Sequence, residues 1–436
     1  MGQRFIVFVF GVGMFLSTLD STIINIALPY IAHRFHESVS TIVWAITLYA
    51  LVLSTSIMVA GKVADRFGRK RVYAIGIVIF ALGSLWAGLA TGSTNLIIAR
   101  GVQGLGAACL QATSIALALS AVTPEFRAKA TGWIGLLIGL GPTLGPVLGG
   151  AIISVLSWRW VFFVNLPLCA LTLWALRYMP LDEVLQSGKI SWLTLVGAGS
   201  IILSVMLMIN GTLVGLFALV FVVALVAIWI GETQTDAPLL PRACYRNPHF
   251  VVPILATGIF GGVMMVVYML IPLFFHRIGQ LPAWQIGFIS VVPSIFFIGF
   301  SLLTGKKTAT HPLPKLMLQG VVIMTATVAG LSLIHASWTW LPVVILTALY
   351  GMGAGIYQTP SIRHTLLHVD PNAHATGMAM IRMVQNMGIA IFPLIAGVLI
   401  HHHTLVTGIQ LSWGVSAFAL LLALFTIWFL LVRPAR

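Results

Sequence analysis

Of the nine acidic residues, Asp20 alone falls well inside a long apolar stretch, in Leu19-Asp20-Ser21-Thr22-Ile23-Ile24-Asn25-Ile26-Ala27-Leu28-Pro29. If that stretch crosses a membrane, a charge near its middle costs on the order of 3 kcal/mol, so the side chain must face a cavity or a partner. Burial disfavours the ionised carboxylate and a nearby cation favours it, and a group held between those pulls can take up and release a proton. A hydrogen bond between helices is the other use for it. The obvious cation is Arg100, in Ile98-Ala99-Arg100-Gly101-Val102-Gln103-Gly104-Leu105-Gly106; it could meet Asp20, or snorkel to the near interface. Arg382, Gln385 and Asn386 lie at i, i+3 and i+4 and share one helix face, better turned to a cavity than to lipid. Trp44, Tyr49, Gln111, Tyr268, Tyr357 and Gln358 offer aromatic faces and amides of the kind that line small-molecule sites, although each aromatic could equally pack between helices. His401, His402 and His403 could hold a metal, but no companion ligand has the right spacing, so an exposed polar turn is expected and no metal site.

The elements that must carry these residues follow from composition. The chain has 436 residues, 59% hydrophobic and 7% charged, with a mean hydropathy of +1.05; ordinary soluble domains hold about 25% charged residues. A soluble protein is excluded. Apolar runs of about 20 residues suffice to cross a membrane, and they occur near 5–31, 40–60, 72–91, 95–119, 131–153, 159–177, 190–210, 212–231, 250–275, 284–304, 315–334, 339–361, 376–400 and 407–432. The expectation is an all-α integral membrane protein with 14 transmembrane helices. With the N-terminus placed in the cytoplasm, 18 of the 23 Lys and Arg residues fall on the inner side and three outside. That bias follows the positive-inside rule and predicts that both termini are cytoplasmic. The net charge of +14 is then a basic face beside anionic membrane lipid, and nucleic acid need not be invoked. Cys109 and Cys169 fall in apolar runs and Cys244 in a polar connector, which gives no disulfide framework.

The two ends of the chain repeat each other. Gly104-Leu-Gly106-Ala107-Ala-Cys-Leu-Gln111-Ala-Thr-Ser114 aligns with Gly351-Met-Gly353-Ala354-Gly-Ile-Tyr-Gln358-Thr-Pro-Ser361, with five identities in eleven at an offset of 247. Ala130-Thr131-Gly132 recurs as Ala375-Thr376-Gly377, and Gly61-Lys62 as Gly305-Lys306, at offsets of 245 and 244. This argues for a duplicated six-helix unit: an N-terminal bundle over 1–180, two inserted helices with a linker over 181–235, and a C-terminal bundle over 236–436. Equal orientation makes it a parallel repeat, whose interface is where a transporter holds its substrate.

The loop after the second span, Gly61-Lys62-Val-Ala-Asp65-Arg66-Phe-Gly68-Arg69-Lys70-Arg71, resembles the signature loop of the major facilitator superfamily. Its glycines would let a tight turn approach a neighbouring helix. Asp65 could pair with Arg or with a helix N-terminus, for which the helix starting near Thr376 is the candidate. The fifth span, with Gly141-Pro142-Thr-Leu-Gly145-Pro146-Val-Leu-Gly149-Gly150, resembles the superfamily's antiporter motif; tight packing accounts for the glycines, and two prolines four apart favour a hinge. The string around Asp20 resembles the first-helix motif of its drug:proton antiporter branch, that around Arg100 the superfamily's helix-4 motif, and Ser157-Trp158-Arg159-Trp160-Val-Phe-Phe-Val-Asn165-Leu-Pro167 its entry to helix 6. The loop at Gly305-Lys306-Lys307 lacks the Asp of the signature.

The resemblance implies the major facilitator fold, two six-helix bundles plus two inserted helices. It also implies a monomeric antiporter of the cell membrane that exports amphipathic small molecules, with a proton as coupling ion and no cofactor. No phosphate-binding G-x-x-x-x-G-K-(S/T) string is present, so the chain is not expected to be an enzyme or to draw on ATP. An uptake or facilitative carrier for a metabolite, a lipid or lysolipid translocase, and a receptor or scaffold that transports nothing remain open.

Overall fold

The computed structural model describes residues 3–178, 223, 247–308, 310–369 and 374–432. The helices are α1 (Gln3–Phe35), α2 (Val39–Phe67), α3 (Arg69–Gly88), α4 (Ser93–Ser120), α5 (Pro124–Val155), α6 (Trp160–Phe163) and α7 (Asn165–Leu176). They continue as α8 (Pro248–Arg277), α9 (Ala283–Lys307), α10 (Leu313–Leu331), α11 (Trp340–Leu367), α12 (His374–His402) and α13 (Leu405–Ile427), which runs into a π-helical turn over Trp428–Val432. No strand occurs among the described residues. Eleven of these helices are long and apolar enough to cross a membrane, and the shorter apolar segment Trp160–Leu176 falls where the sixth span is expected. The two inserted spans expected at 190–210 and 212–231, and so the count of 14, lie outside the described residues.

The need to satisfy every backbone N–H and C=O without water makes these apolar runs helical, and several overshoot the membrane. α1, at 33 residues, is about 50 Å long against a hydrocarbon layer of about 30 Å. The sixth span is assigned as two adjoining pieces, α6 and α7, but Val164 between them keeps helical dihedrals (φ -58°, ψ -24°), so Trp160–Leu176 runs on as one apolar helical segment. Asn165 follows directly, in the first turn of α7. Large apolar side chains such as Leu82, Phe288, Leu302, Phe418 and Phe425 stay exposed along these helices, as faces turned to lipid require.

Two compact units emerge from the packing. One comprises the described parts of Met1–Asp20, Trp44–Gly141 and Phe162–Pro241, the other those of Ser21–Val43, Pro142–Val161 and Arg242–Arg436. In the first, α3 and α4 cross with their backbones almost touching: a Cβ on Gly106 would lie 2.5 Å from the Phe80 nitrogen and 2.8 Å from the Gly76 carbonyl oxygen. The second unit has the same crossing between α10 and α11, where a Cβ on Gly320 would lie 2.7 Å from the Gly353 carbonyl oxygen. The repeat seen in the sequence is thus also a repeat of packing, with Gly76 and Gly106 answered by Gly320 and Gly353.

Gly68, between α2 and α3, has φ 97°, a conformation that costs a residue with a Cβ, and this explains its place in the loop. Gly61 lies inside α2 with open space where a Cβ would go, so no neighbouring helix among the described residues approaches it as expected. α5 runs as one helix through both Pro142 and Pro146, so the hinge expected there is not an open break in this conformation. The prolines instead leave a mark on hydrogen bonding. Pro146 has no N–H to give the Pro142 carbonyl, and that oxygen accepts from the Ser294 hydroxyl of α9 at 3.3 Å. α9 can come this close because Gly150 and Gly287 face each other's helices, with virtual Cβ positions 2.5 Å from the Ala283 oxygen and 2.6 Å from the Pro146 oxygen.

Gly104 provides a direct test of the close packing. A Cβ there would lie 2.5 Å from the Tyr49 carbonyl oxygen, part of a backbone that cannot swing aside, whereas a Cβ on Gly414 of α13 would meet nothing within 4 Å. Gly104→Ala should cost about 1–3 kcal/mol in strain, more than the roughly 1 kcal/mol that alanine gains over glycine in a helix. Its Tm in detergent should therefore fall by a few degrees, while that of Gly414→Ala should stay level or rise. Equal thermal stability of the two variants would contradict this packing.

Candidate functional site

The first unit gathers its polar side chains at one place. Asp20 projects from the middle of α1. α4 supplies Arg100 and Gln103, three apart and therefore on one face, and α3 supplies Ser84. The glycine next to Ser84 sets the distance between them, since a Cβ on Gly83 would lie 2.8 Å from the Gln103 backbone. α7 supplies Asn165 from its first turn. All five side chains are fully buried.

The Asp20 carboxylate is held by three donors. Its Oδ2 accepts a very short hydrogen bond from Arg100 Nη1. Its Oδ1 accepts from Gln103 Nε2 at 2.8 Å and from Asn165 Nδ2 at 2.9 Å. Those two amides also donate to Ser84 Oγ, at 2.8 and 3.3 Å. Arg100 has its own set of partners: Nη1 donates to Gln103 Oε1 at 2.6 Å, Nε to the Ala45 carbonyl at 3.3 Å, and the guanidinium lies 4.1 Å from the centre of the Tyr49 ring. A buried ion pair of this kind is tolerable only with such extra hydrogen bonds, and removing one partner typically costs about 3–5 kcal/mol because the other charge is left behind. Arg100 pairs inward and does not snorkel. Among the described residues, two polar atoms of the cluster have no hydrogen-bond partner, Asn165 Oδ1 and Arg100 Nη2.

A polar line leads away from this cluster. The Tyr49 hydroxyl donates to the Ser17 carbonyl at 3.1 Å and lies 3.3 Å from Ser17 Oγ, which accepts from Gln111 Nε2 at 2.8 Å. Gln111 is half-buried. Tyr49, expected among residues lining a substrate cavity, is instead enclosed between helices, with its ring against Arg100.

The other expected residues are scattered. Trp44 and Gln358 are half-buried. Tyr268 and Tyr357 are enclosed, the former in a very short hydrogen bond with Ser294, the latter 3.2 Å from Thr257 and Ser361 hydroxyls. Arg382 donates to Gln385 Oε1 at 3.1 Å, while its Nε finds no hydrogen-bond partner, and Asn386 is buried beside them on α12. Asp65 is half-buried and pairs with Arg69 one turn on, at 2.9 Å. On α5, Cβ atoms on Gly141, Gly145 and Gly149 would collide with or crowd Thr18, Thr22 and Ile23, so the glycine run is a track along α1. His401, His402 and His403 are exposed, as expected.

Sequence reasoning passed over Gln103, Asn165 and Ser84 as site residues. Gln103 carried a signal, being three residues from Arg100, and Asn165 stands out as an amide inside an apolar run. Ser84 carried none.

The family described as Major Facilitator Superfamily matches residues 10–393. The chain is 26% identical over 399 residues to a riboflavin transporter of Clostridioides difficile, covering 90% of this chain and 87% of that one. It is 27% identical over 410 residues to Multidrug resistance protein 3 of Bacillus subtilis, covering 90% and 79%. In fold it is similar to the nucleoside transporter NupG, with a TM-score of 0.68 at 15% identity over 97% of this chain and 98% of that one. The chain belongs to the major facilitator superfamily, and is a multi-pass membrane transporter rather than an enzyme.

Proposed function

We propose that the protein is a fourteen-helix, proton-coupled antiporter of the cell membrane. With both termini in the cytoplasm, it exports amphipathic small molecules by alternating access. The observation that carries this reading is the Asp20 site: a carboxylate, the only one inside a span, sealed from solvent yet surrounded by groups that can change partners. The multidrug resistance proteins among the relatives support the direction of transport. The loop residues Gly61, Asp65, Arg66, Gly68 and Arg69 and the α5 run Gly141, Pro142, Gly145, Pro146 and Gly149 serve the change of conformation. Trp44, Gln111, Gln358, Arg382 and Asn386 are the candidates for contact with substrate.

The site accommodates both protonation states of Asp20. Ionised, the carboxylate takes three hydrogen bonds. A proton on Oδ1 turns that oxygen into a donor that needs an acceptor, and a half-turn of the Asn165 amide presents its unpartnered Oδ1. Arg100, released from the carboxylate, keeps Gln103 Oε1, the Ala45 carbonyl and the Tyr49 ring. The cation therefore does not lose all its partners when the proton arrives.

A second reading has a specific observation behind it, since one relative is a riboflavin transporter. A carrier for a planar, neutral heteroaromatic metabolite would use the same fold without a need for proton coupling. Counterflow of riboflavin in proteoliposomes without a pH gradient separates the two.

Three outcomes are expected. Asp20→Asn, reconstituted and correctly inserted, should lose uphill transport driven by a pH gradient while retaining downhill exchange; transport at the wild-type rate would remove Asp20 from the coupling role. Asn165→Leu, similar in size but with neither donor nor acceptor, should lower gradient-driven transport at least tenfold, and an unchanged rate would dismiss the amide half-turn. Finally, one buried carboxylate already paired with arginine leaves little to neutralise a divalent cation. A monovalent cationic dye should therefore be exported much better than a divalent one of equal hydrophobicity. Equal efflux would mean that acids placed at helix ends, such as Glu37 and Glu125, reach the pathway.

A further inference from the structure

The second unit contains a cluster that the transport reading does not use. His249 stands in the first turn of α8, His364 in the last turn of α11 and His368 just beyond it. His364 and His368 are four apart, which puts both on one side of α11. The packing of α8 against α11 brings His249 to them. One nitrogen from each ring lies within 4.8 Å of the other two. The His249 and His368 rings stack at 5.0 Å with planes 11° apart, and the His364 ring lies 4.7 Å from that of His368.

The geometry points to a divalent transition-metal site, of the zinc, cobalt or nickel class, formed by His249, His364 and His368 and joining the start of α8 to the end of α11. Its tautomers are partly set. His368 Nδ1 lies 2.8 Å from the His364 carbonyl oxygen, which can only accept, so Nδ1 carries the proton and Nε2 keeps its lone pair for a ligand. His249 Nδ1 and His364 Nε2 face each other at 3.4 Å. Two imidazole nitrogens on one tetrahedral zinc, each bonded at about 2.0–2.1 Å, lie about 3.3 Å apart. That pair already has the separation of two ligands on one ion, and the third nitrogen must move inward by only about 1.5 Å to complete the face. His364 is buried and its two partners are half-buried, which shields the site on the helix side and leaves a fourth position for water. Three neutral imidazoles suit a borderline metal and not calcium or magnesium, which need oxygen. Arg363, next to His364 in the sequence, donates from Nη1 to Thr308 Oγ1 at 2.7 Å. By contrast, His401 and His402 are consecutive at the end of α12 and face different directions, and His403 lies beyond the helix, so these adjacent histidines make a poorer chelate than three brought together by packing.

The test uses the full chain in detergent, purified through a tag without histidine, with His401→Asn, His402→Asn and His403→Asn introduced together so that the exposed trio does not compete. Cobalt(II) should give the intense visible absorption of a tetrahedral site, saturating at one equivalent and abolished by one equivalent of zinc. Zinc should also raise Tm. His249→Gln, His364→Ala and His368→Gln should each weaken cobalt binding at least tenfold and abolish the zinc-dependent rise. His368 is half-buried and beyond the helix end, so its variant should fold normally, as a monodisperse peak in size exclusion will show. Failure to bind one cobalt at millimolar concentration would overturn the proposal. So would binding that survives all three substitutions, or binding that exists only when His401–His403 are intact. None of these readouts depends on what the protein transports or in which direction.

Discussion

A carboxylate in the middle of an apolar helix can stay ionised only if the protein replaces the hydration it has lost, and much of the first unit is arranged around that demand on Asp20. Arg100 brings the opposite charge, but a guanidinium is itself expensive to bury and must be supplied with acceptors and an aromatic face. Gln103 answers to both, donating from its amide nitrogen to Asp20 and accepting at its amide oxygen from Arg100. Asn165, at the start of α7, closes the remaining side. Four helical segments thus have their relative positions tied to one ion pair.

Those positions need helices closer than side chains normally permit. Hydrophobic attraction between helices is weak where the surroundings are as apolar as leucine, so packing and hydrogen bonds must supply the cohesion. Glycines at the α3–α4 crossing bring backbones within contact distance, and Gly104 does the same between α4 and α2. The duplication carries this solution into the second unit with the same glycines at the same places. It does not carry the ion pair there: the equivalents of the first-unit acids are absent, and Arg382 stands on α12 with amides as its companions.

Much of this was legible in the sequence because the relevant signals are local. Spans announce themselves by length and hydropathy, and the crossings by glycines repeated at one offset. Asp20 and Arg100 are conspicuous because charge is costly where they sit. Ser84 is invisible by the same reasoning, since a serine in a membrane helix can bond its own backbone and needs no partner. The positions of the aromatic residues were the least legible: Tyr49 and Tyr357 have the composition of a binding surface but are consumed in packing, and only three-dimensional contacts distinguish the two. The three histidines at 249, 364 and 368 escaped notice because proximity along the chain is a poor guide to proximity across helices.

The carbonyl of Pro142 has a wider consequence. A helix is stiff because each turn is clamped to the next, and where prolines remove those clamps the stiffness must come from elsewhere. α5 obtains part of it from a hydroxyl on α9, so its rigidity at that level belongs to the pair and not to α5 alone. Any displacement of α9 along α5 would withdraw Ser294 and soften the helix at that moment, while the return of the hydroxyl would harden it again. The mechanical character of α5 is in this sense a property that α9 can switch, without a residue in α5 changing its identity or its charge.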